Sequence, residues 1–164
     1  MNIFEKIESK RTAIRKGILP TWTLFRAAIT ELVNSYNQIE EGQHHPAKID
    51  GAEDTFVTVS CDLGKHADKF HTLTVSLKSA VVESGYKITC SIEKWIAAPN
   101  QAPQKEATDE LDFVLDADPE GRTWLVYSET NQERRLTAFQ AAELALSRAL
   151  LDPQTTAALN IAVW

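Results

Sequence analysis

The sequence of 164 residues has no long uninterrupted apolar run and only two cysteines. A helix that crosses a bilayer needs about 20 consecutive apolar residues, so we expect no membrane partner. The start of the chain mixes both charge signs and lacks the apolar stretch of a secretory signal, which favours a cytoplasmic protein. Cys61 and Cys90 lie in segments that alternate like strands, a pattern typical of buried thiols in a reducing compartment.

Catalytic and cofactor motifs are also missing. The six glycines are isolated from one another, so no glycine-rich loop is available to cradle a phosphate. The chain has no Gly-x-Ser-x-Gly elbow, no Cys-x2-Cys pair and no His-x3-His pair of the kind that holds zinc. We therefore predict no cofactor and no metal. Catalysis stays open, although a non-enzyme is favoured, because many active sites have no linear motif.

The charge of the chain is negative and unevenly distributed. The net charge of −6 argues against a nucleic-acid partner, since gripping phosphates needs a clustered excess of Lys and Arg. Residues 1–16 carry five cations against two anions, which leaves −9 for the remainder. We expect a basic N-terminal helix on an acidic body. An ordinary surface helix is favoured over one that lies on a membrane or on nucleic acid.

Helical periodicity occurs at both ends of the chain. Within residues 1–41 we predict a helical pair: one helix near 3–16 that Gly17 stops, and a second over residues 21–41. The second helix has an apolar stripe with alternating spacings of three and four: Trp22, Phe25, Ile29, Leu32, Tyr36 and Ile39. If the sheet leaves part of this stripe uncovered, we expect a homodimer through it. A capping box at Thr137 predicts further helices within 137–162.

Between the helices the period changes to two. Three alternating segments follow Thr55, and two more meet across the turn at residues 118–121, giving five strands within 55–129. Residues 97–109 have two prolines and no apolar period, which predicts a mobile surface loop. Since the connections are too short for parallel crossovers, we predict a single α+β domain over residues 1–164. Its antiparallel five-stranded meander would be covered by the N-terminal and C-terminal helices.

An acidic row occupies the fourth predicted strand and the turn after it. Alternation places its four carboxylates on one face: Glu110, Asp112, Asp116 and Asp118. Such a row is suited to a basic protein surface, where charge complementarity contributes steering and specificity. The alternative is a solvent-facing strand whose charges deter edge-to-edge aggregation. We retain the four residues as the candidate protein-binding surface.

A second candidate site centres on histidine and aromatic residues. His71 is in phase with the apolar face of its strand, so it is a core or rim histidine or, inside a cleft, a catalytic base. The spacing of His44, His45 and His66 does not indicate whether they converge on it. Five aromatic residues are candidates to line a pocket between sheet and helices: Trp22, Tyr36, Tyr86, Trp95 and Trp124.

Two functional hypotheses follow from these candidates. The first is a non-catalytic protein-interaction module, such as an adaptor, chaperone or inhibitor, that binds a protein partner. The second is a small hydrolase or small-molecule-binding domain with a pocket near His71. A cavity that reaches His71 and a carboxylate would favour the second hypothesis, whereas a solid interior would favour the first.

Overall fold

The computed structural model describes residues 1–83 and 85–151. Three helices and seven strands follow one another in the order α1 Ile3–Tyr36, α2 Glu40–His44, β1 Ala47–Ala52, β2 Phe56–His66, β3 Lys69–Val82, β4 Gly85–Ala97, β5 Gln104–Ala117, β6 Thr123–Glu129, β7 Gln132–Leu136 and α3 Ala138–Leu150. Over these described ranges, no helix has both the length and the apolar character that crossing a membrane requires. The closing helix predicted after Pro153 lies outside the described residues.

The strands form one antiparallel meander in which each strand pairs with its neighbours in sequence. The predicted α+β class and antiparallel sheet are confirmed, but the predicted count of five strands is wrong. The sheet has seven strands, since it also includes β1 and β7, which form its two edges. Each buries a single residue, Ala47 and Leu136 respectively, so neither shows the apolar alternation that marks a strand in a sequence.

Part of the segment predicted as a loop is also strand. Only residues 98–103 separate β4 from β5, and residues 104–109 pair with β4. Every side chain from Gln104 to Glu110 is exposed. Because none of the described elements covers this end of the sheet, the strand has no need for the apolar alternation that the prediction used.

The predicted helical pair is one continuous helix, α1, whose N-terminus is closed by a capping box between Asn2 and Glu5. Pro20 lies inside it, and its missing N–H costs roughly 3 kcal/mol in a helix interior. The burial of Trp22 and Phe25 immediately after it offsets that cost. Gly17 does not end the helix. A side chain at this position would meet Thr123 Cγ2 at 3.1 Å, so glycine lets α1 pass close to the sheet.

The core lies between one face of the sheet and the pair α1 and α3. The helices pack on each other, and α1 also contacts β4 and β5. The apolar residues of every strand that alternate onto this face join one cluster with the α1 stripe, and many are fully buried: Phe25, Ile29, Val59, Val75, Leu77, Tyr86, Ile88 and Phe113. The opposite face is polar. On the helix-covered face, this single cluster of side chains fills the space between the sheet and the helices.

Candidate functional site

The sheet splits between β5 and β6. β5 pairs with β4 along nearly its whole length, from Gln104 to Val114. On its other side it pairs with β6 only from Val114 to Ala117, after which β6 continues along β7 alone. Among the described residues, the outer edge of residues 104–113 therefore has no strand partner. An unpaired edge of this kind is a template for an additional strand.

The backbone groups on this edge point away from the sheet at alternate residues. The N–H of Glu110 donates to Oδ1 of the neighbouring Asp109 at 2.9 Å instead of to β4. Since antiparallel strands turn successive residues to opposite sides, Asp112 also directs its N–H and carbonyl outward. The N–H of Asp118 has the same parity and donates to the Arg122 carbonyl, on the β6 side, at 3.0 Å. Glu110 and Asp112 thus present outward backbone groups like those that β6 pairs with further along β5, but here β6 does not reach them.

A cleft of about 500 Å³ fills the space between the diverging strands. One wall is acidic and belongs to β5, and the other belongs to β6. Buried Leu111 and Tyr127 contribute apolar surface beside the guanidinium of Arg148. The remaining lining residues are Asp109, Glu110, Asp112, Val114, Val126, Ser128 and Glu129.

Arg148, in the last turn of α3, fixes the β6 wall of the cleft. Its Nη1 donates to Tyr127 Oη at 3.0 Å, and its Nη2 lies 3.3 Å from both carboxylate oxygens of Glu129. Burial raises the pKa of the Tyr127 phenol, although Arg148 acts in the opposite direction, so the phenol stays neutral and accepts this hydrogen bond. Helix α3 is therefore joined to the β6 wall of the cleft through Arg148.

The acidic row of the sequence prediction divides into two parts. Glu110 and Asp112 line the cleft, and Asp112 lies 3.5 Å from Lys87 Nζ on the adjacent strand. Asp116 instead pairs with Lys10 of α1, at 3.0 Å. The sequence prediction missed Asp109, because alternation places it out of phase with the row.

Asp118, at the start of the β5–β6 turn, is engaged by the turn itself. Arg122 Nε donates to its Oδ2 at 2.6 Å, and the Arg122 N–H donates to its Oδ1 at 2.9 Å. Partial desolvation works to raise the pKa of Asp118, but these hydrogen bonds and the charge of Arg122 outweigh it and lower the pKa. Of the four predicted residues, only Glu110 and Asp112 are placed on the open edge.

His71 lies in a separate, shallow hollow of about 220 Å³ near the β2–β3 turn. Its Nδ1 is 4.0 Å from Glu106 Oε2, and its ring packs edge-on against His66 with the ring centroids 5.3 Å apart. His45 is not part of this group, since its Nδ1 contacts the Asp62 carbonyl at 3.1 Å. In the part of the chain that the structure describes, no three metal-ligating side chains form a cluster that could hold an ion.

The five candidate pocket aromatics occupy separate places. Trp22 is buried and donates to the Asp54 carbonyl at 2.6 Å, and Tyr86 is buried beside Ser79. The other three lie in three further environments. Tyr36 is between α1 and α3, Trp95 lines the histidine hollow, and Trp124 stacks under Arg135 on the polar face.

Comparisons with known proteins identify no relative. A scan against protein-family models finds no match, and searches of curated proteins and of solved structures find none either.

Proposed function

We propose that this chain is a non-catalytic protein-interaction module that accepts an extended segment of a protein partner as an extra strand on β5. The observation that carries the proposal is the unpaired outer edge of residues 104–113 beside a cleft. In strand addition the main-chain hydrogen bonds provide affinity, and the alternating side chains provide specificity. An adaptor, a chaperone or an inhibitor would each use such an edge.

The charge of the edge defines the chemistry of the partner segment. Glu106, Asp109, Glu110 and Asp112 all belong to the open part of β5, and each is exposed. Glu110 and Asp112 share the polar face of β5, so a segment with Lys or Arg at alternate positions would pair with these two carboxylates, whereas an acidic segment would be repelled. The partner segment is therefore basic and extended.

The other side chains of the segment would face the cleft interior. Successive side chains of a strand point to opposite faces, so the residues between the cations lie towards Leu111 and Tyr127. Aliphatic or β-branched residues suit this apolar surface. The proposed recognition pattern is an alternation of basic and apolar residues.

A matched pair of variants tests strand addition. Glu110→Pro removes the outward N–H while leaving the β4 side of the ladder intact, because this N–H does not bond to β4. Glu110→Thr removes the same carboxylate but keeps the N–H. Partners captured from native lysate by the wild type should bind Glu110→Pro about tenfold or more weakly, and Glu110→Thr should retain most of the affinity.

Hydrogen exchange with a purified captured partner locates the contact. Binding should slow the exchange of the outward amides of Glu110 and Asp112, which β4 does not protect in the free chain. If the two variants bind the partner equally and these amides exchange at an unchanged rate, the proposal is wrong.

A second candidate function is a small hydrolase or ligand-binding site at His71. The observation that favours it is the carboxylate of Glu106, 4.0 Å from His71 Nδ1, which would orient the imidazole as a base. A panel of chromogenic esters would be tested with the wild type and with His71→Asn. Turnover that disappears in the variant would support this function, and no turnover by the wild type would oppose it.

A further inference from the structure

We infer that the segment added to β5 is the N-terminus of its protein, running antiparallel to β5 with its α-ammonium at the closed end of the cleft. This inference rests on the proposed strand addition. It follows from the way in which the cleft closes and from the charges at that end.

The closure of the cleft limits how far an added strand can extend. Neighbouring strands lie about 4.8 Å apart, so a strand between β5 and β6 needs a gap of about twice that width. At the pair Val114 and Val126 the two strands are already joined in the ladder. An added strand cannot continue past Phe113 in the plane of the sheet. A chain that begins or ends there fits without a sharp turn.

The direction of the added strand follows from the charges of the cleft. β5 and β6 are antiparallel to each other, so a strand between them is antiparallel to one and parallel to the other, and the ladder alone does not set its direction. A strand antiparallel to β5 places its N-terminus opposite Asp112 and Phe113, with Glu129 on the facing wall. The cleft lining carries four carboxylates, those of Asp109, Glu110, Asp112 and Glu129, against the one guanidinium of Arg148. Lys87 pairs with Asp112 from the adjacent strand, so the cleft keeps a net negative charge, which favours an ammonium group.

Three synthetic peptides test this inference by fluorescence anisotropy. Each has about eight residues of alternating lysine and valine, with a fluorophore on a side chain near the C-terminal end. One has a free N-terminus, one is N-acetylated, and one is extended at its N-terminus by several glycine and serine residues. We expect the free peptide to bind about threefold more tightly than the acetylated one, and the extended peptide to bind most weakly.

Asp112→Asn tests whether the α-ammonium of the peptide lies at the closed end of the cleft. This substitution should reduce the difference between the free and acetylated peptides. Asp116→Asn is the matched control, because Asp116 lies beyond the closure and pairs with Lys10. It should leave the difference unchanged.

The outcomes separate the inference from the proposal on which it rests. Equal binding of the three peptides, all lost in Glu110→Pro, would overturn the N-terminal assignment and leave strand addition standing. Weaker binding when the peptide C-terminus is amidated would assign the opposite direction and also overturn it. Failure of every peptide to bind the wild type would overturn both.

Discussion

Arg148 and Tyr127 join the last turn of α3 to β6 through a 3.0 Å hydrogen bond from guanidinium to phenol. Arg148→Met keeps the apolar stem but loses this bond and the contact with Glu129. We expect the free energy of unfolding to fall by about 1–2 kcal/mol, since the bond is partly buried and involves a charged donor. Urea denaturation would measure the change. Arg122→Met, which removes an exposed ion pair of the β5–β6 turn, should change the stability little.

The two tryptophans Trp22 and Trp124 should respond differently to replacement by phenylalanine. Trp22 Nε1 donates to the Asp54 carbonyl at 2.6 Å, so Trp22→Phe loses a hydrogen bond. Trp124 Nε1 is buried without a hydrogen-bond partner in the described part of the chain, and phenylalanine keeps a ring under Arg135. We expect Trp22→Phe to reduce the unfolding free energy by about 1 kcal/mol more than Trp124→Phe. Equal losses in urea denaturation would contradict this.

Alkaline pH should destabilise the fold through Cys90. Burial, aided by the charge of Asp109, raises the pKa of this thiol from 9.0 to about 12. Between these values the unfolded chain loses the proton that the folded chain keeps, so stability is intact below pH 9 and falls as the pH rises towards 12. Unfolding free energies in reducing buffer at a series of pH values would show the slope.

Cys90→Ala separates this effect from other alkaline titrations. The variant should be less stable at neutral pH by roughly 1 kcal/mol because of the cavity that it leaves. Its stability should then decline less steeply above pH 9 than that of the wild type. Parallel declines for the two proteins would assign the alkaline effect to groups other than this thiol.

The predicted homodimer can be tested at the C-terminal end of the apolar stripe, which is partly exposed. Leu32 and Tyr36 are half-buried and line a groove of about 400 Å³ with residues of α3, while Ile39 is 44% exposed. We expect a dimer at high micromolar concentration in sedimentation equilibrium. Ile39→Glu, in the segment that follows α1, should shift the mass to the monomer, whereas Leu24→Glu, on α1, should not. A monomeric wild type would refute the prediction.

The sequence predicted the elements whose environment differs between their two faces. Strands β2 and β3 and the central part of β4 alternate because one face meets the helices and the other meets solvent. Strand β7 and residues 104–109 have no such difference in burial, so periodicity could not reveal them. Gly17 predicted a helix break, but tertiary packing of the residues around it overrides that local preference.

The candidate site was predictable only by residue type. The row that contains Glu110 and Asp112 is visible in the sequence as an acidic strand. The split that gives these residues an open edge depends on where β6 leaves β5. Just beyond that point, Tyr127 of β6 contacts Arg148, which is 21 residues away in the sequence. Alternation along one strand contains no information about such a contact.

The order of the elements along the chain also affects how the protein is made. Each strand pairs with its neighbours in sequence, so the hairpins can form in turn as a ribosome releases them. Helix α1 emerges before the strands, yet part of its apolar stripe packs on α3, which follows about 100 residues later. That part of the stripe remains exposed to solvent until α3 has been synthesised. The nascent chain should therefore bind chaperones through α1 until α3 leaves the ribosome.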